Sequence, residues 1–262
     1  MKARGTTQVA LTVAGSDSGG GAGIQADLAA FRAFGVFGTT AIACVTAQNP
    51  DRVSAVQPLP PRIVAGQIDR VFEAFKVAAA KTGMLYDATI IETVADAFRA
   101  RQFKKLVVDP VMVATSGAVL LKKDAIAALK SKLLPLAVVV TPNLAEAEVL
   151  WERSIRTLED LRAAARALAE RFGVPFLVKG GHVPEATRAA DVLFDGKSFH
   201  EFSAPVIRDV KPHGAGCAFS AAIAAHLAQG WSLPESINRA KRFISRAIRD
   251  FIQVGKYRAL KL

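Results

Sequence analysis

Short apolar, often β-branched runs alternate along the chain with longer stretches whose apolar positions recur every three to four residues. The short runs predict strands at 9–15 (VALTVAG), 39–47, 77–83 (VAAAKTG), 105–110 (KLVVDP), 137–143 (AVVVTPN) and 174–181 (VPFLVKGG). The periodic stretches predict helices at 24–35, 62–75, 89–101 and in LAEAEVLW. Three more are expected in LEDLRAAARALAERFG, at 217–229 and at roughly 233–252. ADVLFDGKSFHEF reads as a hairpin turning at Asp195-Gly196. Nearly continuous apolar strands alternating with helices predict an α/β fold: a mainly parallel central sheet with helices on both faces.

Each strand run ends in a polar cluster: Gly15-Ser16-Asp17, Gln48-Asn49, Gly83-Met84, Asp109-Pro110, Thr141-Pro142-Asn143 and Lys179-Gly180-Gly181-His182. Ligands of open parallel sheets collect outside the carboxyl ends of the strands, so these clusters are expected to converge on one cleft. Asp109 and Lys179 end apolar strands where a charge has little reason to stand unless it meets solvent or ligand. As a pair they point to a phosphate or metal site.

The glycine-rich segment AGSDSGGGAGIQADL (14–28) is neither a P-loop, lacking Gly-Lys-Ser/Thr, nor a dinucleotide fingerprint, whose third glycine position is Ile24. Its glycines let backbone N–H groups approach a ligand closely. Asp27 either faces the cleft or favours the helix start. In TPNLAEAE, Asn143 and Glu146 stand three apart: they orient water around Mg²⁺, or form an ordinary capping box. Cys217 follows Gly214-Ala215-Gly216 at the start of a small-residue helix. Free N–H groups and the helix dipole favour an anion there, whether a phosphoryl group or the cysteine's own thiolate with its pKa lowered. Cys44, inside a strand run, reads as a small buried residue.

Composition narrows the function classes. The 262 residues are 51% hydrophobic and 22% charged, with no linker or low-complexity tract, and read as one domain, 1–262. The net charge is +11, but the basic residues are spread over helices that also carry acids, and aromatics make up only 7%. That favours a solvated basic face, with attraction of phosphorylated small molecules as its functional version, over nucleic-acid binding. One denser basic patch comprises Lys241, Arg242, Arg246, Arg249, Lys256, Arg258 and Lys261. Two cysteines make no disulfide framework, and no run reads as a signal peptide or membrane span. A cytoplasmic protein is expected.

Together the motifs AGSDSGGGAGIQADL, TAQN, GML, DPVM, SG, TPNLAEAE, VKGGH, DVLFDG, FSAP and HGAGC resemble the hydroxymethylpyrimidine/phosphomethylpyrimidine kinases of thiamine biosynthesis, within the ribokinase-like superfamily. The resemblance runs from about Val9 to Gly255 and implies a three-layer ribokinase-like sandwich. It further implies a kinase that uses ATP and Mg²⁺ to phosphorylate 4-amino-5-hydroxymethyl-2-methylpyrimidine and then its monophosphate. By that resemblance Gly15, Asp27, Gln48 and Met84 hold the pyrimidine, and Asp109, Asn143 and Lys179 attend the nucleotide. Glu146 supports the metal. Gly214, Ala215 and Gly216 form an anion hole, and Cys217 acts as the base. A homodimer is expected because relatives commonly are dimeric. The alternatives are a pyridoxal/pyridoxine kinase of the same fold, or a non-catalytic pyrimidine-binding regulator. This chain departs from the family at Thr115, Pro212 and Ala215, and in the tail Tyr257–Leu262.

Overall fold

A computed structural model describes residues 6–112, 120–122, 124–181, 188–207 and 213–262. Thr115, Ser116, Gly117, His182 and Pro212 lie outside the described residues. A nine-stranded sheet is built from β1 (Val9–Asp17), β2 (Phe37–Asn49), β3 (Arg52–Pro58), β4 (Val77–Thr82), β5 (Leu106–Val108), β6 (Val139–Val140), β7 (Phe176–Gly180), β8 (Arg188–Phe194) and β9 (Phe199–Pro205). Its order is β3-β2-β1-β4-β5-β6-β7-β8-β9. The six strands from β2 to β7 are parallel; β3 pairs antiparallel at one edge, and β8 and β9 at the other. This is the expected mainly parallel sheet.

Two apolar clusters make the layers. On one face pack α2 (Pro61–Ala74), α3 (Ala88–Ala100), α4 (Ala125–Ala128), α5 (Leu144–Trp151) and α6 (Leu158–Phe172). On the other pack α1 (Gly23–Ala33), α7 (Ala215–Ala228) and α8 (Leu233–Arg249). Helix α6 follows its pattern closely: Leu161, Ala164, Ala165 and Leu168 are buried, Thr157 and Asp160 form a capping box, and Gly173 ends it at φ +70. Helix α7 is apolar on every side because it lies between α1, α8 and the sheet.

The sequence pattern missed three pieces. Strand β3 is mostly solvent-facing, so its residues carry no buried run to announce it. Helix α4 runs into a π-turn at Leu129–Leu133 and a 3₁₀ turn at Leu134–Leu136, which breaks the 3.6-residue period. The predicted last helix stops at Arg249, and the tail forms an antiparallel hairpin of β10 (Ile252–Val254) and β11 (Tyr257–Ala259). That hairpin grips the β2–β3 turn, where Asp51 accepts hydrogen bonds from Tyr257 Oη at 2.6 Å and Lys256 Nζ at 2.9 Å.

Near the C-terminal end of α7, His226 is 4% exposed, packs 4.2 Å from the Phe34 ring and leaves Nε2 without a partner among the described residues. Burial pushes its imidazole below the usual 6.5. The unfolded chain therefore takes a proton near pH 6.5 that the native ring refuses. Stability present above pH 6.5 is lost as pH falls from there through the lower native value. His226→Leu is expected to flatten the fall of urea-unfolding free energy below pH 6.5, by up to about 1.4 kcal/mol per pH unit. Parallel pH profiles for the two proteins would contradict this.

Candidate active site

The chain runs from β1 outward to β2, then returns to place β4 on the other side of β1. Between β1 and β4 the order reverses, and crevices form at such points beyond the carboxyl ends of the strands. A cavity of about 500 Å³ opens there, lined from β1, β2, β4, the ends of β5–β7, Asp191 of β8, the starts of α1, α5 and α7, and one face of α8. Every site residue expected from sequence except Asp27 lines it: Gly15, Gln48, Met84, Asp109, Asn143, Glu146, Lys179, Gly214, Ala215, Gly216 and Cys217.

One end is a flat-walled recess. Met84 is buried against Cys44 and Leu120. Gly15 donates its N–H to the Met84 carbonyl at 3.0 Å, and a Cβ on Gly15 would stand 2.8 Å from Cys44 Sγ. Asp17 organises the glycine loop, accepting from the N–H groups of Gly19, Gly21 and Ala22 at 2.8–3.1 Å. His213 Nε2 lies 2.9 Å from Asp17 Oδ2 and 3.3 Å from Gln48 Nε2. Burial works against the Asp17 charge, but His213 and the loop N–H groups outweigh it and hold the carboxyl below its ordinary value. If Nε2 gives its proton to Asp17, it cannot also accept from Gln48, so the Gln48 NH₂ stays free for a ligand.

Asp27 is a correction. Its carboxylate is fully buried behind the cavity wall, where Lys81 Nζ donates to both oxygens at 3.0 Å and Thr12 Oγ1 donates at 2.6 Å. It faces the sheet rather than the ligand because α1 packs on β1 and β2, with position 27 buried on its inner side. The group that reaches the cavity in its place is Lys81. Burial opposes the Lys81 charge, and Asp27 more than restores it, so the ammonium is held above its usual range.

At the other end Asp109 accepts from Lys179 Nζ at 3.1 Å and Ser220 Oγ at 3.1 Å. Burial disfavours its charge, yet Lys179 and Lys81 prevail and hold it below the usual carboxylate range. Asn143 and Glu146 form the capping box that was one of the two sequence readings. Asn143 Oδ1 accepts from the Glu146 N–H at 2.9 Å, and Glu146 Oε2 accepts from the Asn143 N–H at 2.8 Å. The two readings are compatible, since both residues also line the cavity. Burial, aided by Asp109, pushes Glu146 up to about 7.

Gly214 caps α7 at φ +82 without any side-chain hydrogen bond, which leaves the first-turn N–H groups for a ligand. Cys217 is half-buried there. Its thiol corrects a second expectation. Burial pushes it up to about 11, and Asp27 and Asp109 add to this; Lys81 and the Gly23 N–H only partly compensate. The helix terminus alone does not make it a thiolate.

Lys81 and Asp191 escaped the sequence reading, although a charge inside an apolar run, as in VAAAKTG and ADVLF, is the signal that marked Asp109 and Lys179. Lys241, assigned to a solvated basic patch, is instead buried against Asp191 at 2.7 Å. Three acid–lysine pairs thus surround the cavity: Asp27–Lys81, Asp109–Lys179 and Asp191–Lys241.

The chain superposes on an ADP complex of Bacillus subtilis pyridoxal kinase with a TM-score of 0.89 and 36% identity, covering 98% of this chain and 97% of that one. Fold and cavity define a small-molecule kinase of the ribokinase-like class. The hydroxymethylpyrimidine/phosphomethylpyrimidine kinase of Rhizobium meliloti is 47% identical over 96% of this chain and 95% of its own length. The thiamine biosynthesis bifunctional protein ThiED of Geobacter sulfurreducens is 48% identical over 94% of this chain, which spans 50% of that longer protein. Residues 17–260 match the family described as phosphomethylpyrimidine kinase, and the chain belongs to that family.

Proposed function

We propose that this kinase transfers the γ-phosphoryl group of ATP to the hydroxymethyl oxygen of 4-amino-5-hydroxymethyl-2-methylpyrimidine, and then a second phosphoryl group to the monophosphate so formed. The observation that carries the reading is that one cavity joins the Gln48 amide and an apolar wall to a glycine-capped helix N-terminus. The pyrimidine ring lies against Met84, and the Gln48 amide pairs with its aminopyrimidine edge. The hydroxymethyl arm then points to Cys217. Phosphoryl transfer asks mainly for positioning and charge stabilisation. The first-turn N–H groups of Gly214–Cys217 receive the γ-phosphoryl oxygens, Lys179 meets the nucleotide phosphates, and Cys217 Sγ takes the hydroxyl proton.

The donor set suits a hydrated Mg²⁺. Among the described residues no three-ligand cage of His, Cys, Asp or Glu exists, and Mg²⁺ needs only one or two carboxylates while keeping its waters. Glu146 shares Lys179 with Asp109, which leaves this end of the cavity with one more buried carboxylate than ammonium. Glu146 is the residue that would hold the ion, whose charge would offset that of the nucleotide phosphates.

Pyridoxal phosphorylation is a second reading, favoured by the likeness to the pyridoxal kinase and by a pocket that admits any flat heteroaromatic with a hydroxymethyl arm. The purified protein, given Mg-ATP and either the pyrimidine, its monophosphate or pyridoxal, is expected to turn over both pyrimidines with kcat/KM at least tenfold above that for pyridoxal. Gln48→Ala is expected to narrow that preference to below threefold. Preference for pyridoxal would replace the reading, and tight pyrimidine binding without turnover would make the protein a regulator.

A further inference from the structure

Of the three acid–lysine pairs around the cavity, Asp27–Lys81 has no part in the steps above. Lys81 stands in the central strand β4 and is fully buried, its Nζ equidistant from both Asp27 oxygens. Thr12 holds the carboxylate from the neighbouring strand β1. The ammonium also uses the gap at Gly83, where a Cβ would stand 2.8 Å from Nζ. A buried ion pair is poor value as a stabilising device, because desolvation offsets most of its attraction and apolar residues of equal volume pack as well. This one also lines the ligand cavity. Helix α7 packs on both β4 and α1, and Cys217 in its first turn lines the same cavity as Lys81.

We propose that Lys81 is a positioning residue of the transfer step: clamped by Asp27 and Thr12, its ammonium stabilises the anionic sulfur that Cys217 must present to accept the hydroxyl proton. In that step the O–H bond breaks and the S–H bond forms, while Lys81 and Asp27 keep their own protonation. Four charged groups act on the sulfur. Lys81 from β4 and Lys179 from β7 favour the anion, and Asp27 from α1 and Asp109 beyond β5 oppose it. Lys81 is the strongest of these influences. The proposal rests on Cys217 being the proton acceptor, so its test includes a measurement that needs no turnover.

That measurement is the rate of Cys217 alkylation by iodoacetamide between pH 7 and 10.5, read by peptide mass spectrometry so that Cys44 is scored separately. In Lys81→Met it is expected to fall at least tenfold at pH 8, with kcat down at least tenfold and KM for the pyrimidine within threefold. Lys81→Arg is expected to recover at least part of both losses. If Lys81→Met does not fold, the neutral pair Lys81→Met/Asp27→Asn replaces it, with the same direction and a smaller loss. A Cys217 profile that superposes on wild type in a folded variant overturns the proposal alone. A shifted profile with unchanged kcat overturns it together with the assignment of Cys217 as the base.

Discussion

Replacing Cys217 by alanine is expected to lower kcat for hydroxymethylpyrimidine by about 10²–10⁴, the usual contribution of a positioned proton acceptor. The fold should tolerate it: the side chain is small and half-buried, and the melting temperature is expected to move by less than about 2 °C. The sharper readout is pH. The resting thiol sits at about 11, so between pH 7 and 9 nearly all of it carries its proton. The reactive fraction, and with it wild-type kcat/KM, should climb by about tenfold per pH unit over that range and level only near 11. The alanine protein should lose this slope. A flat wild-type profile from pH 7 to 9 would remove Cys217 from the proton's path.

Gly214→Ala is expected to be as damaging for a different reason. The alanine Cβ would fall 1.7 Å from the Gly21 carbonyl oxygen, and the backbone there is at φ +82. Both neighbours are main chain, so no side chain can swing aside, and the glycine loop and the start of α7 must separate. Strain in the left-handed region alone is worth about 1–3 kcal/mol, or roughly 2–10 °C in melting temperature for a chain of this size. A shift of about 1 Å in first-turn N–H groups aimed at a transferring phosphoryl group costs about 10²-fold in rate. Gly216→Ala is the control, since its Cβ would meet only Lys179 Nζ at 3.4 Å, an ordinary contact. Equal losses in the two variants would mean that the clash at Gly214 is not the cause.

Much of the fold was legible because buried parallel strands and amphipathic helices differ in period. Where a segment lies outside that logic the reading failed: β3 faces solvent, and the π-turn after α4 has neither period. In the cavity, Asp109 and Lys179 stood out as charges ending apolar runs. Lys81 and Asp191 carried the same mark, but their meaning lies in partners 54 and 50 residues away, which no local pattern reveals. Asp27 was ambiguous because a helix start explains an acid as readily as a ligand does. For Cys217 the helix terminus was read correctly and its consequence was not. The dipole's pull toward a thiolate is a local effect visible in sequence, whereas the burial that opposes it belongs to the assembled tertiary structure.

The contact between the glycine loop and the start of α7 bears on the order in which the protein acquires its properties. Asp17 and His213 are 196 residues apart, and Gly21 meets Gly214 across nearly the same span. Strands close in sequence, such as β1 with β2 or β7 with β8 and β9, can pair without that junction. Long-range closures of this kind come late in folding and are among the first to open in mild denaturant. The chain therefore gains most of its native structure before it can bind and phosphorylate, and it loses catalysis while its core is still intact.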